Sequence, residues 1–328
     1  MKPFRWGILG PGRIAQKFAD CVRALSNSTI YAIASRSVSD IHRLAKSMCA
    51  ETAYRSYEEL VIDPNVDAVY IATPHRFHYE NAMLCLSYGK PALVEKAFTV
   101  NALEAENLAA AAKEKGVFLM EAMWTRFLPV YRQVQRWLDS GKIGEIQLVT
   151  SSLGFLARHD LDDRLLNPAL AGGTVLDLGV YAMAISQFVF RKYPNSIKAQ
   201  GFVGETGVDE AISVGLDYGS GCFSQFACTF LVNPSGQVEI FGSKGNIIIH
   251  PVYNSAERAT FTANGREKTV HLPHRINGFE YQIEEAQRCI HTGKLESSLM
   301  PLVDTIANLR VLDEIRQQIG ISYPFEMK

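Results

Sequence analysis

The sequence predicts an α/β chain in two parts, an N-terminal domain on a parallel sheet and a C-terminal α+β domain on a mostly antiparallel sheet. Three observations carry this. At 328 residues the chain exceeds the size at which a single hydrophobic core keeps growing. Its first 120 residues alternate short apolar runs with amphipathic stretches, the pattern of βαβ units. From Ile197 to about His271, β-type segments follow one another without helices between them, as in a meander of antiparallel strands. The boundary is placed near Ala122, giving domains over residues 1–122 and 123–328.

The N-terminal strands are expected at Phe4 to Gly10, Thr29 to Ser35, Ala68 to Thr73, Pro91 to Glu95 and Val117 to Met120. Helices are expected between them at Ile14 to Leu25, Val38 to Met48, His78 to Tyr88 and Ala102 to Lys115; the last two are followed by Gly89 and Gly116, the residue type that tolerates the left-handed C-cap. Beyond Trp124 the pattern changes to a helix over Pro129 to Asp139 and a strand over Glu145 to Leu153. A loop rich in charges and leucines follows, then Gly172-Gly173 and a further helix. Helices return over Gly278 to His291 and Pro301 to Ile319.

Composition excludes several classes. Hydrophobic residues make up 47% and charged residues 20%, which is a globular balance. Thirty-three basic and 34 acidic side chains leave a net charge of −1, so no nucleic-acid partner is implied. No apolar run reaches the ~18 residues of a membrane span, and the N-terminus enters a strand with no secretory segment. The six scattered cysteines form no C-x-x-C pair and are read as reduced apolar fillers, so the expected location is the cytoplasm.

Gly10-Pro11-Gly12-Arg13-Ile14-Ala15 has the form G-x-G-x-x-A between the first strand and the first helix. The first glycine permits the tight turn and the second lets a pyrophosphate reach the backbone. The small third residue lets helix and strand pack closely, while the helix N-terminus offers free N–H groups. In this context the motif predicts a Rossmann dinucleotide site. An NAD site usually carries Asp or Glu at the end of the second strand, where this chain reads Ser35-Arg36-Ser37. Arg36 can pair with a 2′-phosphate and stack beside adenine, and both serines can donate to the same phosphate. NADP is therefore expected over NAD, with an ordinary surface arginine as the alternative.

Six segments together resemble the glucose–fructose oxidoreductase/inositol dehydrogenase superfamily, and within it the branch of dimeric dihydrodiol dehydrogenases and NADP-dependent D-xylose dehydrogenases. They are Gly10 to Ala15, Ala72-Thr73-Pro74-His75-Arg76-Phe77-His78, Glu95-Lys96, Glu121 to Phe127, Gly172 to Tyr181, and Gly242-Ser243-Lys244-Gly245. Two departures from the superfamily pattern matter. Its Glu-Lys-Pro motif reads Glu95-Lys96-Ala97 here, which leaves the following backbone less restrained, and many of its sugar dehydrogenases carry histidine where this chain has Tyr181. The dihydrodiol dehydrogenase branch is similar to this chain in using tyrosine there.

Hydride transfer from an alcohol requires a base for the hydroxyl proton, and the reverse reaction an acid. Lys96 follows a candidate parallel strand at the carboxyl edge, where such sheets bind ligands; partial desolvation there lowers a lysine pKa. Asp177 and Tyr181 are four apart on an expected helix and share a face, which Gly172-Gly173 would bring close to a ligand. Tyr181 is the expected proton donor and acceptor, Lys96 the cation that depresses its pKa, and Asp177 the group that orients substrate or lysine. Thr73, Pro74, His75, His78 and Glu95 are expected to line the cofactor pocket. A metal at His75 and His78 lacks a third ligand at motif spacing. Trp124 and Arg126, at the domain junction, are candidates to stack on and hydrogen-bond a sugar or aromatic diol, with a hinge role as the alternative.

The expected function is an NADP-dependent dehydrogenase or reductase of a cyclic polyhydroxyl substrate, an aldose such as xylose or a trans-dihydrodiol. The rival readings are a non-catalytic NADP-binding sensor or scaffold and a reductase of another small carbonyl compound. In Cys222 to Leu231 both alternating sets, Phe226-Cys228-Phe230 and Phe223-Ala227-Leu231, are apolar. A homodimer through the C-terminal sheet is therefore expected.

Overall fold

Strand β1 (Phe4–Leu9) is almost wholly buried on both faces, as a central strand of a parallel sheet must be. In the computed structural model, which describes residues 2–36, 40–157, 160–161 and 163–326, it anchors a six-stranded sheet. The other strands are β2 (Ser28–Ala34), β3 (Thr52–Tyr54), β4 (Ala68–Ile71), β5 (Ala92–Glu95) and β6 (Leu119–Ala122). All pairings are parallel, in the order β3-β2-β1-β4-β5-β6, so the chain reverses its direction of winding between β1 and β4. Between the strands run α1 (Arg13–Ala24), α2 (Ile41–Ser47), α3 (Tyr57–Ile62), α4 (His78–Ser87) and α5 (Ala102–Lys115).

These helices are set by stripe and cap. Helix α1 buries Ala15, Phe18, Ala19, Cys21 and Val22, one face of a 3.6-residue repeat. Asn101 accepts from the Glu104 amide at 3.0 Å while the Glu104 carboxylate accepts from Val100 N at 3.3 Å, a reciprocal cap on α5. Gly116 ends that helix at φ +64°. Two elements escaped the sequence reading, β3 and α3. Both are very short, and their apolar positions are too few to establish a period. The strand expected from Val117 begins at Leu119, and the helix expected from Val38 begins at Ile41, capped by Asp40, with 37–39 outside the described residues.

The second sheet has eight strands: β7 (Ile146–Gly154), β8 (Ser196–Val203), β9 (Asp209–Asp217), β10 (Phe223–Thr229), β11 (Val238–Gly242), β12 (Gly245–Ile249), β13 (Arg258–Ala263) and β14 (Arg266–His271). The order is β14-β13-β12-β11-β7-β10-β9-β8, antiparallel throughout except for the β7–β10 pair. Helix α6 (Pro129–Asp139) precedes it, and α7 (Val180–Phe190) interrupts it after β7. The expectation that Cys222 to Leu231 is apolar on both faces is corrected. Ser224, Phe226 and Cys228 are buried, whereas Phe223, Gln225 and Ala227 form an exposed, mixed face with Phe223 45% exposed.

The chain forms two compact units, Met1–Trp124 with Arg275–Ile306, and Thr125–His274 with Ala307–Lys328. The continuous second domain expected over 123–328 is corrected, because Arg275–Ile306, with helix α8 (Glu280–His291), belongs to the first unit. Leu119 N donates to Leu295 O at 2.9 Å, Gln287 Nε2 to Ser28 Oγ at 2.7 Å, and Asn277 Nδ2 to Lys17 O at 2.9 Å. These partners lie far apart in sequence, where periodicity carries no information.

Among the described residues one helical stretch, Pro168–Phe190, is long and apolar enough to cross a membrane by length and composition, with an 18-residue window of mean hydropathy 1.4, which the sequence reading passed over. Of that window 89% is buried within the protein, and it serves as a core helix. All six cysteines are free thiols, four of them buried.

Helix α9 (Leu302–Gln318) carries Arg316, whose buried guanidinium donates to both Glu326 oxygens at 2.8 and 3.1 Å and to Asp313 at 3.1 Å. Its charge also lies 5.0 Å from the Tyr323 ring centroid. Arg316→Met is expected to lower unfolding stability by about 1.5–3 kcal/mol, the value of hydrogen bonds to charged groups. Urea denaturation reads this loss directly.

Candidate functional site

The Gly10–Ile14 turn follows β1 at the carboxyl edge, where the sheet order reverses. Gly10 adopts φ +77°, and a Cβ there would lie 2.8 Å from both the backbone N and the Cα of Thr73, the second residue after β4. Only glycine fits between those two strand ends. Gly12 is different: a Cβ there would meet nothing within 4 Å, so its space opens outward at the first turn of α1. That turn has no side-chain cap and no acidic residue, which leaves its N–H groups to an anion. Pro11 and Ala15 are buried; Gly12, Arg13 and Ile14 are exposed. The cradle thus fits a dinucleotide pyrophosphate.

At the end of β2, Ser35 is buried and Arg36 is exposed. The Arg36 guanidinium lies 4.7 Å from the Tyr57 ring centroid and 5.6 Å from that of Phe77, and pairs with Glu80 at 3.4 Å. Tyr57, Phe77 and Glu80 were missed by sequence reading, since nothing local links them to residue 36. Ser37 lies outside the described residues.

Beyond β4, Thr73 and His75 are buried and Pro74 is half-buried. The His78 ring bridges two carbonyls, Ala97 O at 2.8 Å from Nδ1 and Thr73 O at 2.7 Å from Nε2. The expectation that His78 lines a pocket is corrected: it is 1% exposed and braces the chain after β4 against the chain after β5. Its expected place at the start of α4 holds.

Strand β5 ends at Glu95, and Lys96 follows on the same edge of the sheet as the glycine turn. The Lys96–Ala97 peptide is cis. Glu95 is buried, accepts from the Tyr70 hydroxyl, and accepts from Lys96 N at 3.3 Å. Burial pushes its carboxyl pKa up, against the opposing pull of Tyr70, Lys96 and Lys17. Lys17, another residue the sequence reading missed, is pushed down by burial, opposed chiefly by the charge of Glu95. Its ammonium lies 4.1 Å from the Trp124 ring centroid and 4.7 Å from that of Phe279, which itself packs edge-on to Trp124 at 5.1 Å. Trp124 is only 6% exposed, so the stacking surface expected of it is taken up inside the first unit.

In the second unit, a π-helical turn over Val175–Gly179 carries Asp177 and leads into α7, whose second residue is Tyr181. Such turns recur at functional sites. Asp177 is buried, and its carboxylate pairs with Arg164 at 3.1 Å, a partner the sequence reading did not name. Tyr181 is buried and adds to the upward push on the Tyr131 phenol, which comes first from burial. The Arg126 guanidinium lies 5.5 Å from the Phe188 ring centroid. The glycine pair before the turn does not serve ligand approach as expected. A Cβ on Gly172 would lie 2.5 Å from Leu165 O, and one on Gly173, at φ +113°, 2.2 Å from Asp209 Oδ1. Those glycines admit the protein's own groups.

Sheet order, glycine turn and uncapped helix define a dinucleotide-binding Rossmann domain. Residues 4–123 match the oxidoreductase family with an NAD-binding Rossmann fold, and residues 131–248 match the GFO/IDH/MocA C-terminal domain. The chain is 34% identical over 331 residues to the trans-1,2-dihydrobenzene-1,2-diol dehydrogenase of Mus musculus, covering 98% of each chain. Among solved structures, the aldose–aldose oxidoreductase of Caulobacter crescentus complexed with glycerol shares the fold at a TM-score of 0.88 and 22% identity, covering 97% of this chain and 98% of that one. The 3-ketoreductase KijD10 of Actinomadura kijaniata, in complex with NADP and TDP-benzene, does so at 0.85 and 24%, with the same coverage. The protein belongs to the GFO/IDH/MocA oxidoreductase family.

Two glycine substitutions separate architecture from ligand space. Gly10→Ala forces a left-handed residue against Thr73 and is expected to cost about 1–3 kcal/mol of stability in thermal or urea melts. Gly12→Val is expected to leave the melt unchanged and to weaken dinucleotide binding at least about tenfold, or ~1.4 kcal/mol, by fluorescence titration.

Proposed function

We propose that the protein is an NADP-dependent dehydrogenase of cyclic polyhydroxyl compounds, either a trans-dihydrodiol or an aldose such as xylose, acting in the cytoplasm as a homodimer. The observation that carries the reading is the position of Lys96. It leaves β5 at the edge of the sheet that also bears the glycine turn, beside the buried carboxylate of Glu95. Whole-length similarity to enzymes named trans-1,2-dihydrobenzene-1,2-diol dehydrogenase supports the substrate class.

Gly10, Pro11, Gly12, Arg13 and Ile14 would hold the pyrophosphate. Ser35, Arg36 and Ser37 would hold the 2′-phosphate, with Arg36 presented by Tyr57 and Phe77. Thr73, Pro74, His75 and Glu95 would shape the nicotinamide end, and Arg126 would hydrogen-bond substrate. NADP, when bound, supplies the hydride acceptor or donor. The protein's part is the proton. Tyr181 takes it from the substrate hydroxyl in oxidation and returns it in reduction; Lys96 contributes the positive charge that favours the phenolate, and Asp177 orients substrate. For assembly, Phe202 and Phe223 are exposed on the outward face of the C-terminal sheet, at 55% and 45%, and support its use as the dimer surface.

Arg36→Ala is expected to weaken NADP by roughly 1.5–3 kcal/mol and to leave NAD nearly unchanged, as read by titration with each cofactor. Equal losses would remove the 2′-phosphate assignment. Tyr181→Phe is expected to reduce kcat by roughly 10²–10⁴ with NADP binding intact, and to abolish or shift the rise of oxidation rate with pH. Lys96→Met should be comparably impaired. The double variant should be little worse than either single one, because residues acting as a unit are non-additive. A panel of sugars, diols and small ketones, run with NADP and NAD in both directions, decides the substrate; no turnover of any would favour a sensor or scaffold. Light scattering at micromolar concentration should give the mass of a dimer.

A further inference from the structure

Asp209 is a buried carboxylate with no assigned task, and burying a charge without a paired cation is costly. It opens β9, and its Oδ2 accepts from the Thr174 hydroxyl and from Val175 N, both at 2.6 Å. Those donors belong to the first turn of the helical segment that carries Asp177 and Tyr181. The other oxygen, Oδ1, has no hydrogen-bond partner and faces Gly173, where any side chain would come within 2.2 Å of it. Burial pushes its pKa up to about 6, and the Thr174 and Val175 bonds pull against that rise.

The same turn is held from two further directions. The Tyr323 hydroxyl donates to Gly172 O at 2.7 Å, and Gly173 N donates to Leu165 O at 2.9 Å. The latter contact docks the loop whose Arg164 grips Asp177. Between Gly172 and Val175 the chain is thus held by Tyr323 and Asp209, both distant in sequence, and by Leu165 of that loop. Asp209 supplies the two shortest of these bonds.

We propose that Asp209 is a positioning residue. Through Thr174 and Val175 it fixes the π-helical turn, and so the placement of Asp177 and Tyr181. The inference rests on the proposed roles of those two residues for its kinetic consequence, but not for its structural one. Thr174 completes the device, and glycine at 173 is required to seat the carboxylate. A group that merely filled the core would be replaceable by an apolar side chain, whereas this one is chosen for its acceptor oxygens.

The test uses full-length Asp209→Ala, Asp209→Asn and Thr174→Val. Asparagine keeps an oxygen able to accept both hydrogen bonds and removes the charge. Hydrogen exchange of the peptide spanning 172–185, followed by mass spectrometry, should speed up in Asp209→Ala, less so in Thr174→Val, and return close to wild type in Asp209→Asn. Exchange in the β1–α1 region and NADP affinity should stay unchanged in all three. With a substrate from the panel above, Asp209→Ala is expected to lose about 10- to 100-fold in kcat, with a larger deuterium isotope effect, and Asp209→Asn to recover most of the loss. If Asp209→Ala does not fold, Thr174→Val and Asp209→Asn still read the exchange. Unchanged exchange over 172–185 in Thr174→Val, or equal acceleration across the chain, would overturn the inference whatever the turnover. Local acceleration in the variants, together with a wild type that turns over no polyol, would sustain it and sink the substrate reading instead.

Discussion

Both units of this protein depend on places where the backbone comes too near a neighbour for a side chain to exist. At Gly10 the chain leaving β1 passes 2.8 Å, measured from where a Cβ would stand, from the backbone of Thr73. That approach brings the ends of β1 and β4 together at the point where the sheet reverses its winding, and it aims α1 at the space in front of Gly12. At Gly173 the same constraint admits the Asp209 carboxylate and so ties the turn bearing Asp177 to β9. Close packing leaves no slack to absorb even one added methyl group at either position.

The second theme is the use of buried carboxylates to set backbone geometry. Glu280 accepts from Ile276 N at 3.0 Å, Asn277 N at 3.2 Å and Gly278 N at 2.7 Å, which holds the start of α8. Its own amide and these three backbone donors draw its pKa down in spite of burial. Glu95 and Asp209 go the other way, because burial outweighs their hydrogen bonds. The difference is one of depth. Glu280 gathers its backbone amides where enclosure is incomplete, and they offset desolvation, whereas Glu95 and Asp209 lie so deep that their hydrogen bonds do not. Glu95 and Asp209 are therefore carboxylates held at an energetic cost, Glu95 next to Lys96 and Asp209 against the start of the turn that carries Asp177.

Within the candidate site, the legible parts were those with a local signature. The glycine turn, the missing acid at residue 36, and the spacing of Asp177 and Tyr181 all lie within a few residues of sequence, where turn chemistry and helical repeat can be read. Arg164, Lys17, Tyr57 and Asp209 carry no such mark. Each acts on a residue that the chain returns to only after folding, and an isolated Asp before a strand or Lys on a helix has no pattern to distinguish it. Trp124 and His78 show the reverse relation. Their residue types suggested ligand contact, yet packing against Lys17 and Phe279, and bridging of two carbonyls, use the rings inside the protein.

The sequence by itself determined the fold class, the parallel and antiparallel halves, the dinucleotide turn and the family. These follow from hydrophobic period, glycine position and motif order, all short-range properties of a chain. Only the tertiary structure decided that Arg275–Ile306 returns to the first unit, that β7 pairs in parallel with β10, and that Gly172-Gly173 faces inward. Each of these depends on which distant groups meet. A period-2 strand pattern is satisfied equally by a parallel or antiparallel neighbour. A glycine marks that something must come close, and the identity of that group, ligand or carboxylate, is fixed by packing alone.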